Sequence, residues 1–420
     1  MSETRNHPLP LLIPAGMLYT PGRKQRDQLA AFAKEIKARG FTVGGVCQEF
    51  VEDDQGEKMS MVSIDQMTGL RLDISIPPEL RGDAHACQLD KARLAEASGA
   101  IRRAISEPAD LVVIEKFGEQ EQKGEGFQDE ILTSMAEGLA TLVAVPNHVL
   151  ADWQNFTGGL ATLVSPSPAD LWRWWGPERL YRDLELAVPL DAGEARRVII
   201  GHNWTAVEGP MGLGIAQSPG RPVAACRPIR GAGSYAGRPL SELAGLVHAL
   251  NPVEAAIGLA AINAHINHKA LEGEDLNGLD ALGRGDGDLV VVGRFPGLAE
   301  RIGPHLLIER APGPDDYPET AARGLIAGAE RLGITASTLV DHGLPGLLAA
   351  RGLLTQTTLI GPGTPLTPRL HAYGLNTLSG MVITDIDRAV RIIQEGGAMR
   401  DLKSAGRLVT LSSEGYTGIV

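Results

Sequence analysis

Short apolar runs alternate with amphipathic stretches along most of this chain. "LLIPAGMLY" reads as a strand. "GRKQRDQLAAFAKEIKARG" reads as a helix, with Leu29, Phe32, Ala33 and Ile36 on one face and Gly40 as its stop. "TVGGVCQEF" is the next strand, and "MSMVSID" and "LRLDISI" flank "QMTG" as a hairpin. "KARLAEASGAIRRAI" and "GFQDEILTSMAEG" are helices, while "ADLVVIEKFG" and "ATLVAVPN" are buried strands. Strands alternating with helices over residues 10–160 imply a mainly parallel sheet covered on both faces.

The pattern changes at "VSPSPADLWRWWGPER", a Pro-rich stretch whose Trp172, Trp174 and Trp175 read as packing the linker onto the first domain. Beyond it, "ARRVIIGHNWTAVEG" and "GLGIAQSPG" read as a meander of strands. "PLSELAGLVHAL" and "NPVEAAIGLAAINAHINHKAL" are helices, the second with Asn251 as N-cap and Pro252 at its first position. The last third returns to α/β: "DLVVVGRF", "HLLIERAP", "RLGITAST", "QTTLIGPG" and "TLSGMVITD" are strands at the spacing of a doubly wound sheet.

The 420 residues exceed one hydrophobic core. A net charge of -12, with no long Lys/Arg run, argues against nucleic acid as the main partner. Three sparse cysteines argue against a disulfide framework and for a reducing compartment. "PLPLLIPAGMLY" is too short and too broken by Pro for a secretory signal or a membrane span, so a cytoplasmic protein without a membrane partner is the expectation.

The stretch "DLVVVGRFPGLAERIGPHLLIERAP" has the strand, turn, helix, strand outline of a dinucleotide unit, but not its G-x-G-x-x-G spacing. After Gly293 come Arg294, Phe295, Pro296 and Gly297, and Pro296 lacks an N–H donor. This reads as a Rossmann-like fold without an NAD site. In such a sheet the carboxyl ends of the strands form the ligand crevice. Thr335, Ser337, Thr338, Asp341 and His342 would then line one wall, and Gly361, Gly363 and Thr364 the next, with Glu309 and Arg310 at a neighbouring strand end. Hydroxyls, backbone N–H groups, a carboxylate and a cation in one cleft suit an oxyanion or a coordinated metal.

A cation would need other donors. His265 and His268 lie three apart on an expected helix, with His202 and Cys226 elsewhere in the same domain. In the first domain, "GMLYTPGRKQ" is like a phosphate loop with the wrong spacing: Gly16 and Gly22 flank it, and Lys24 stands without the Ser or Thr that would hold Mg²⁺. Glu115 and Lys116 end an apolar strand where a nucleotide-binding fold keeps its Mg²⁺ acid.

Two resemblances follow. "VVVGRFPGL", "IERAP", "ITASTLVDHGL", "LIGPGTPLTPRL" and "GLNTLSGMVITD" resemble the family named for "putative heavy-metal chelation". "IGHNWTAVEG" to "NPVEAAIGLAAINAHIN" resembles the small enolase-N-terminal-like domain that precedes it there, so the likeness spans roughly 180–400. It implies a Rossmann-like domain with a cleft against a smaller partner. The chain departs from the family pattern at Asp341, where Asn is expected, and at Gly363, where Ser is commoner. "ARGFTVGGVCQEF", "MSMVSIDQMTG", "ACQLD", "ADLVVIEKFGEQEQKGEGF" and "LADWQNFTGG" resemble a bacterial nucleotide-kinase-like family associated with molybdate-transport genes. That likeness implies a P-loop-NTPase-like fold with a degraded phosphate loop. It also draws attention to Cys87, because a thiol suits a soft metal.

The expected architecture is α/β in three parts: a P-loop-NTPase-like domain over 1–165, a small α+β enolase-N-terminal-like domain over 178–272, and a Rossmann-like domain over 283–420. The expected function is metal homeostasis: binding, sequestering or delivering a metal ion or molybdate. Two alternatives stay open. One is a nucleotide-dependent enzyme, kinase or NTPase-like, using ATP or another nucleotide with Mg²⁺. The other is a nucleotide-sensing regulatory or scaffold protein of the molybdate system. The expected partners are a small-molecule or metal ligand, molybdate-transport or molybdoenzyme proteins, and further copies of the chain as a homo-oligomer.

Overall fold

A computed structural model of the chain describes residues 11–21, 25, 27–53, 58–76, 89–107, 109–220, 229–283 and 286–414. They form two compact units, with described parts 11–175 and 176–414. The fold is mixed α/β with sheets rich in parallel strands. Among the described residues no helix is long and apolar enough to cross a membrane.

The N-terminal unit holds a seven-stranded sheet. Its strands are β1 (Ala15–Tyr19), β2 (Val43–Glu52), β3 (Lys58–Asp65), β4 (Arg71–Asp73), β5 (Leu111–Ile114), β6 (Thr141–Pro146) and β7 (Thr162–Val164), in the order β4-β3-β2-β5-β6-β1-β7. The five strands from β2 to β7 in that order run parallel, and β3 and β4 add an antiparallel edge. Continuous apolar sequence places β5 and β6 at the centre, buried on both faces.

Helix α1 (Gln28–Ala38) buries the expected stripe of Leu29, Phe32, Ala33 and Ile36. Helix α2 (Lys91–Ser106) starts where the Asp90 side chain accepts the N–H groups of Ala92 and Arg93. Helices α3 (Gln128–Ala136) and α4 (Leu150–Thr157) follow. The unit runs on through α5 (Pro168–Trp175), because Trp172 and Trp175 pack edge-on against Phe32 at 5.7 and 6.4 Å. Arg39, itself buried, stacks 4.3 Å over Trp172.

The C-terminal unit contains two sheets. A small antiparallel one, ordered β10-β9-β8, comprises β8 (Arg197–Ile200), β9 (Trp204–Glu208) and β10 (Leu213–Gln217). Helix α6 (Leu180–Leu186) precedes it. Helix α7 (Pro252–Ile266) lies against it, capped by Asn251 and opened by Pro252 as the sequence predicts. Gly214 lets the two meet, since a Cβ there would sit 2.1 Å from the Ala260 carbonyl oxygen.

The larger sheet is built from β11 (Leu289–Val292), β12 (Leu306–Glu309), β13 (Tyr317–Pro318), β14 (Arg331–Thr335), β15 (Gln356–Ile360), β16 (Thr377–Ile383) and β17 (Gly406–Ser412). Their order is β13-β12-β11-β14-β15-β16-β17, and only β17 runs antiparallel. The order therefore reverses between β11 and β14, and at such a point the connections leave in opposite directions and open a crevice.

Candidate ligand-binding site

At that reversal the carboxyl ends of β11, β12, β14 and β15 converge on two adjoining chambers of about 470 and 350 Å³. Gln217, Arg294, Thr335 and Ser337 line both, so the chambers form one cleft. Gly293 closes β11 in a left-handed conformation, φ 93°. A Cβ there would also lie 2.4 Å from Cγ2 of Thr335, so only glycine brings the two strand ends this close.

The first chamber carries the acids. Glu309, Arg310, Thr338 and Asp341, named from the sequence, line it together with Glu319. Arg310 donates from Nε to Oε1 of Glu319 at 2.9 Å and pairs with Asp341 through its terminal nitrogen. Burial pulls this guanidinium down, but the two carboxylates outweigh it and hold it above its ordinary value. Oδ1 of Asp341 accepts the Gly343 N–H at 2.9 Å, which fixes the carboxylate. Thr338 donates to the Thr335 carbonyl at 2.7 Å, and Ser337 donates to Oγ1 of Thr335 at 3.2 Å. Against this wall, Tyr181 packs edge-on to His342 at 4.9 Å. Burial, with the Asp341 charge nearby, keeps its phenol protonated.

The second chamber carries cations and no carboxylate. Arg294, Arg301, Arg400 and Lys403 line it, with Gly361 and Gly363 of the turn after β15. Thr364, expected beside them, lies outside both chambers: it is fully buried, and its Oγ1 has no hydrogen-bond partner among the described residues. The turn is held from below by α7 and the residue after it. Asn263 donates to the carbonyls of Ile215 and Gly363 at 2.9 Å each, and Asn267 donates to the Thr364 carbonyl and accepts the Leu366 N–H. No sequence motif singled out these asparagines. Their signal was two amides four apart at the end of a mostly apolar helical run.

The described residues proposed for a cationic metal gather no complete donor set. Among the described residues there is no group of three or more His, Cys, Asp or Glu side chains able to hold a metal ion. α7 ends at Ile266, so His265 and His268 do not continue on one helical face. Burial and the neighbouring His268 pull the His265 imidazole below its ordinary value. His202 is exposed beside Gly396. Cys226 and Cys87 lie outside the described residues.

In the N-terminal unit a separate crevice of about 1030 Å³ opens at the ends of β1, β2 and β6, with Lys34, Lys37 and Lys116 in its lining. Gly16 sits inside β1, and a Cβ there would meet Nε1 of Trp153 at 2.7 Å, so packing accounts for it. Glu115 is buried and accepts the Gln48 N–H at 2.8 Å, and Lys116 is exposed. Gly22 and Lys24 lie outside the described residues.

Comparison with known proteins agrees with this division. Residues 14–174 match a family described as "Protein of unknown function (DUF2478)". Over 161 residues the chain is 38% identical to the molybdenum import ATP-binding protein ModC 2 of Bradyrhizobium diazoefficiens, covering 38% of this chain and only 18% of that protein. The crystal structure of a protein with unknown function from the DUF364 family of Desulfitobacterium hafniense matches with a TM-score of 0.50 and 31% identity, over 56% of this chain and 97% of that one. Residues 181–266 and 278–412 match two family models that share one description, so the C-terminal part of the chain belongs to the families described as "putative heavy-metal chelation".

Proposed function

We propose that the C-terminal unit is a Rossmann-like binding module that captures a metal in anionic form at the reversal point of its sheet, with molybdenum the first candidate. The observation that carries this reading is the second chamber, walled by four cations and no carboxylate. Arginine, hydroxyl and backbone N–H groups bind oxyanions, whereas cationic metals require carboxylate, imidazole or thiolate donors. The absence of any three-donor group among the described residues points the same way. The name of the ModC 2 relative adds molybdenum as the element, although the match is to the N-terminal unit.

The test is the elemental content of protein purified without an affinity metal from cells supplied with molybdate and trace metals. Near-stoichiometric molybdenum in the wild type and its loss in Arg294→Ala support the reading. Stoichiometric zinc, nickel or iron, unchanged in Arg294→Ala, refutes it.

A second reading concerns the N-terminal unit, read as a P-loop-NTPase-like sheet, whose crevice at the strand ends sets Lys34, Lys37 and Lys116 beside the carboxylates of Asp27, Glu49, Glu52 and Asp65, a mixed set suited to a nucleotide bound with its Mg²⁺. The packing role of Gly16 and the internal bond of Glu115 favour binding without turnover. ATP bound with no phosphate release fits this reading, and steady ATP hydrolysis contradicts it.

A further inference from the structure

We infer that the second chamber takes an organic anion: at least two negative charges carried on an apolar, ring-sized body. The inference rests on the reading of this cleft as an anion site and names what the anion is attached to. Three observations carry it.

The first is volume. The chamber holds about 350 Å³. A water occupies about 30 Å³ of liquid, so a bare tetrahedral oxyanion of five heavy atoms fills only a part of it. Cavities of roughly 300–1,000 Å³ are the size that encloses an organic ligand.

The second is the wall. Trp204, Leu279, Phe295, Ile360, Met399 and Leu408 present apolar surface to the same space. A bare oxyanion gains nothing from these side chains and would keep water against them. A ring removes that water, and the gain scales with the apolar area covered.

The third is charge placement. Arg301 leans on Asp280 at 2.8 Å, Arg400 on Asp401 at 3.7 Å, and Arg294 on Asp316. None of these carboxylates faces the chamber, and Lys403 has no ion pair among the described residues. The cations come from the turn after β11, from α8 (Leu298–Ile302) and from residues 399–403, so they approach from more than one side. That arrangement suits several charges distributed on one molecule. The metal would then arrive as an anionic chelate held in this chamber, its charges among these cations and its organic body against the apolar wall.

The test uses 8-anilinonaphthalene-1-sulfonate as the reporter on the full chain, with four displacers: phenyl phosphate, benzene-1,3,5-tricarboxylate, inorganic phosphate and molybdate. The variant is Arg400→Glu/Lys403→Glu. Both positions are exposed, and an unchanged melting temperature confirms the fold. The inference expects saturable reporter binding that the double variant weakens by roughly tenfold or more, and that rising salt weakens further. It also expects displacement by a ring-borne anion at concentrations where molybdate and phosphate have little effect. Displacement by phenyl phosphate or by the tricarboxylate tells a phosphoryl ligand from a carboxylate one. Reporter binding unaltered in the double variant overturns the inference. Molybdate displacing as effectively as the ring anions also overturns it, while leaving the anion-site reading intact. Failure of every anion to displace overturns both.

Discussion

Replacing Asn263 by aspartate takes away the amide that ties α7 both to β10 and to the turn after β15. In the native protein the Asn263 amide donates to the carbonyls of Ile215 and Gly363, while its Oδ1 has no partner among the described residues. An ionised carboxylate would put oxygen against two carbonyl oxygens in a fully buried place. Burial therefore raises the pKa of the introduced carboxyl above its unfolded value of about 3.9. Protonated, it donates one bond instead of two, and the carbonyl left unpaired costs about 1–3 kcal/mol. If its folded pKa passes about 7, protonation at that pH adds about 4 kcal/mol, at about 1.4 kcal/mol per unit. The sign follows from linkage. The folded pKa is raised, so the added cost is absent below about pH 4 and grows as pH rises toward 7. Calorimetry of Asn263→Asp should show a small loss for the C-terminal unit at pH 4 and a loss comparable to a whole domain's stability, about 5 kcal/mol or more, at pH 7. Asn263→Leu, which removes the donors and the unpartnered oxygen together, should cost about 2–4 kcal/mol with no such pH dependence. An aspartate variant as stable as wild type, or equally destabilised at both pH values, would refute the reasoning.

Other substitutions probe other parts of the account. Gly293→Ala combines a strained φ with a Cβ 2.4 Å from Thr335, so unfolding experiments should show a loss of about 1–3 kcal/mol, together with weaker anion binding. Gly16→Ala should lower stability by about 1–3 kcal/mol through the Trp153 contact while leaving nucleotide affinity unchanged in a fluorescent-nucleotide titration. Burial pushes the Glu185 carboxyl up, but its bonds from His248 and Arg182 outweigh that and hold it below the ordinary range. Its stabilisation is thus present above its unfolded pKa of about 4.3 and is lost as pH falls through the lower folded value. Glu185→Gln should make the melting temperature of the C-terminal unit fall less steeply with acid, and an unchanged slope would count against this assignment.

The strands of the larger sheet were legible because β11, β12, β14, β15 and β16 are apolar runs bounded by Gly and Pro. With the strand ends fixed, the residues just after them followed, and Gly293, Glu309, Arg310, Thr335, Thr338 and Asp341 do line the first chamber. Of the second chamber, Gly361 and Gly363 were legible and the cations were not. Arg301 sits on α8 without a pattern that marks it, and Arg400 and Lys403 are surface cations until β17, just after them, pairs antiparallel with β16 and brings them to the strand ends. β13 was missed because it is two residues long and contains Pro318. Thr364 misled because its turn is drawn inward by Asn267, a contact 97 positions away that no local pattern reveals. At Gly16, in the loop with the wrong spacing, the neighbour that favours glycine is an indole ring on α4, which no local pattern marks. The histidine pair depended on a helix continuing past Ile266, which the Asn267 cap ends.

The central claim is that an anionic, metal-bearing ligand lies where the strand order reverses. The most direct measurement is anomalous X-ray diffraction at the molybdenum edge, on crystals of protein purified from molybdate-fed cells. The account expects one strong peak within the cleft, between the Arg294 side chain and the turn of Gly361 and Gly363, with density for an organic body against Trp204 and Phe295. A peak at His265 and His268, in the crevice of the N-terminal unit, or nowhere in the molecule, would contradict it.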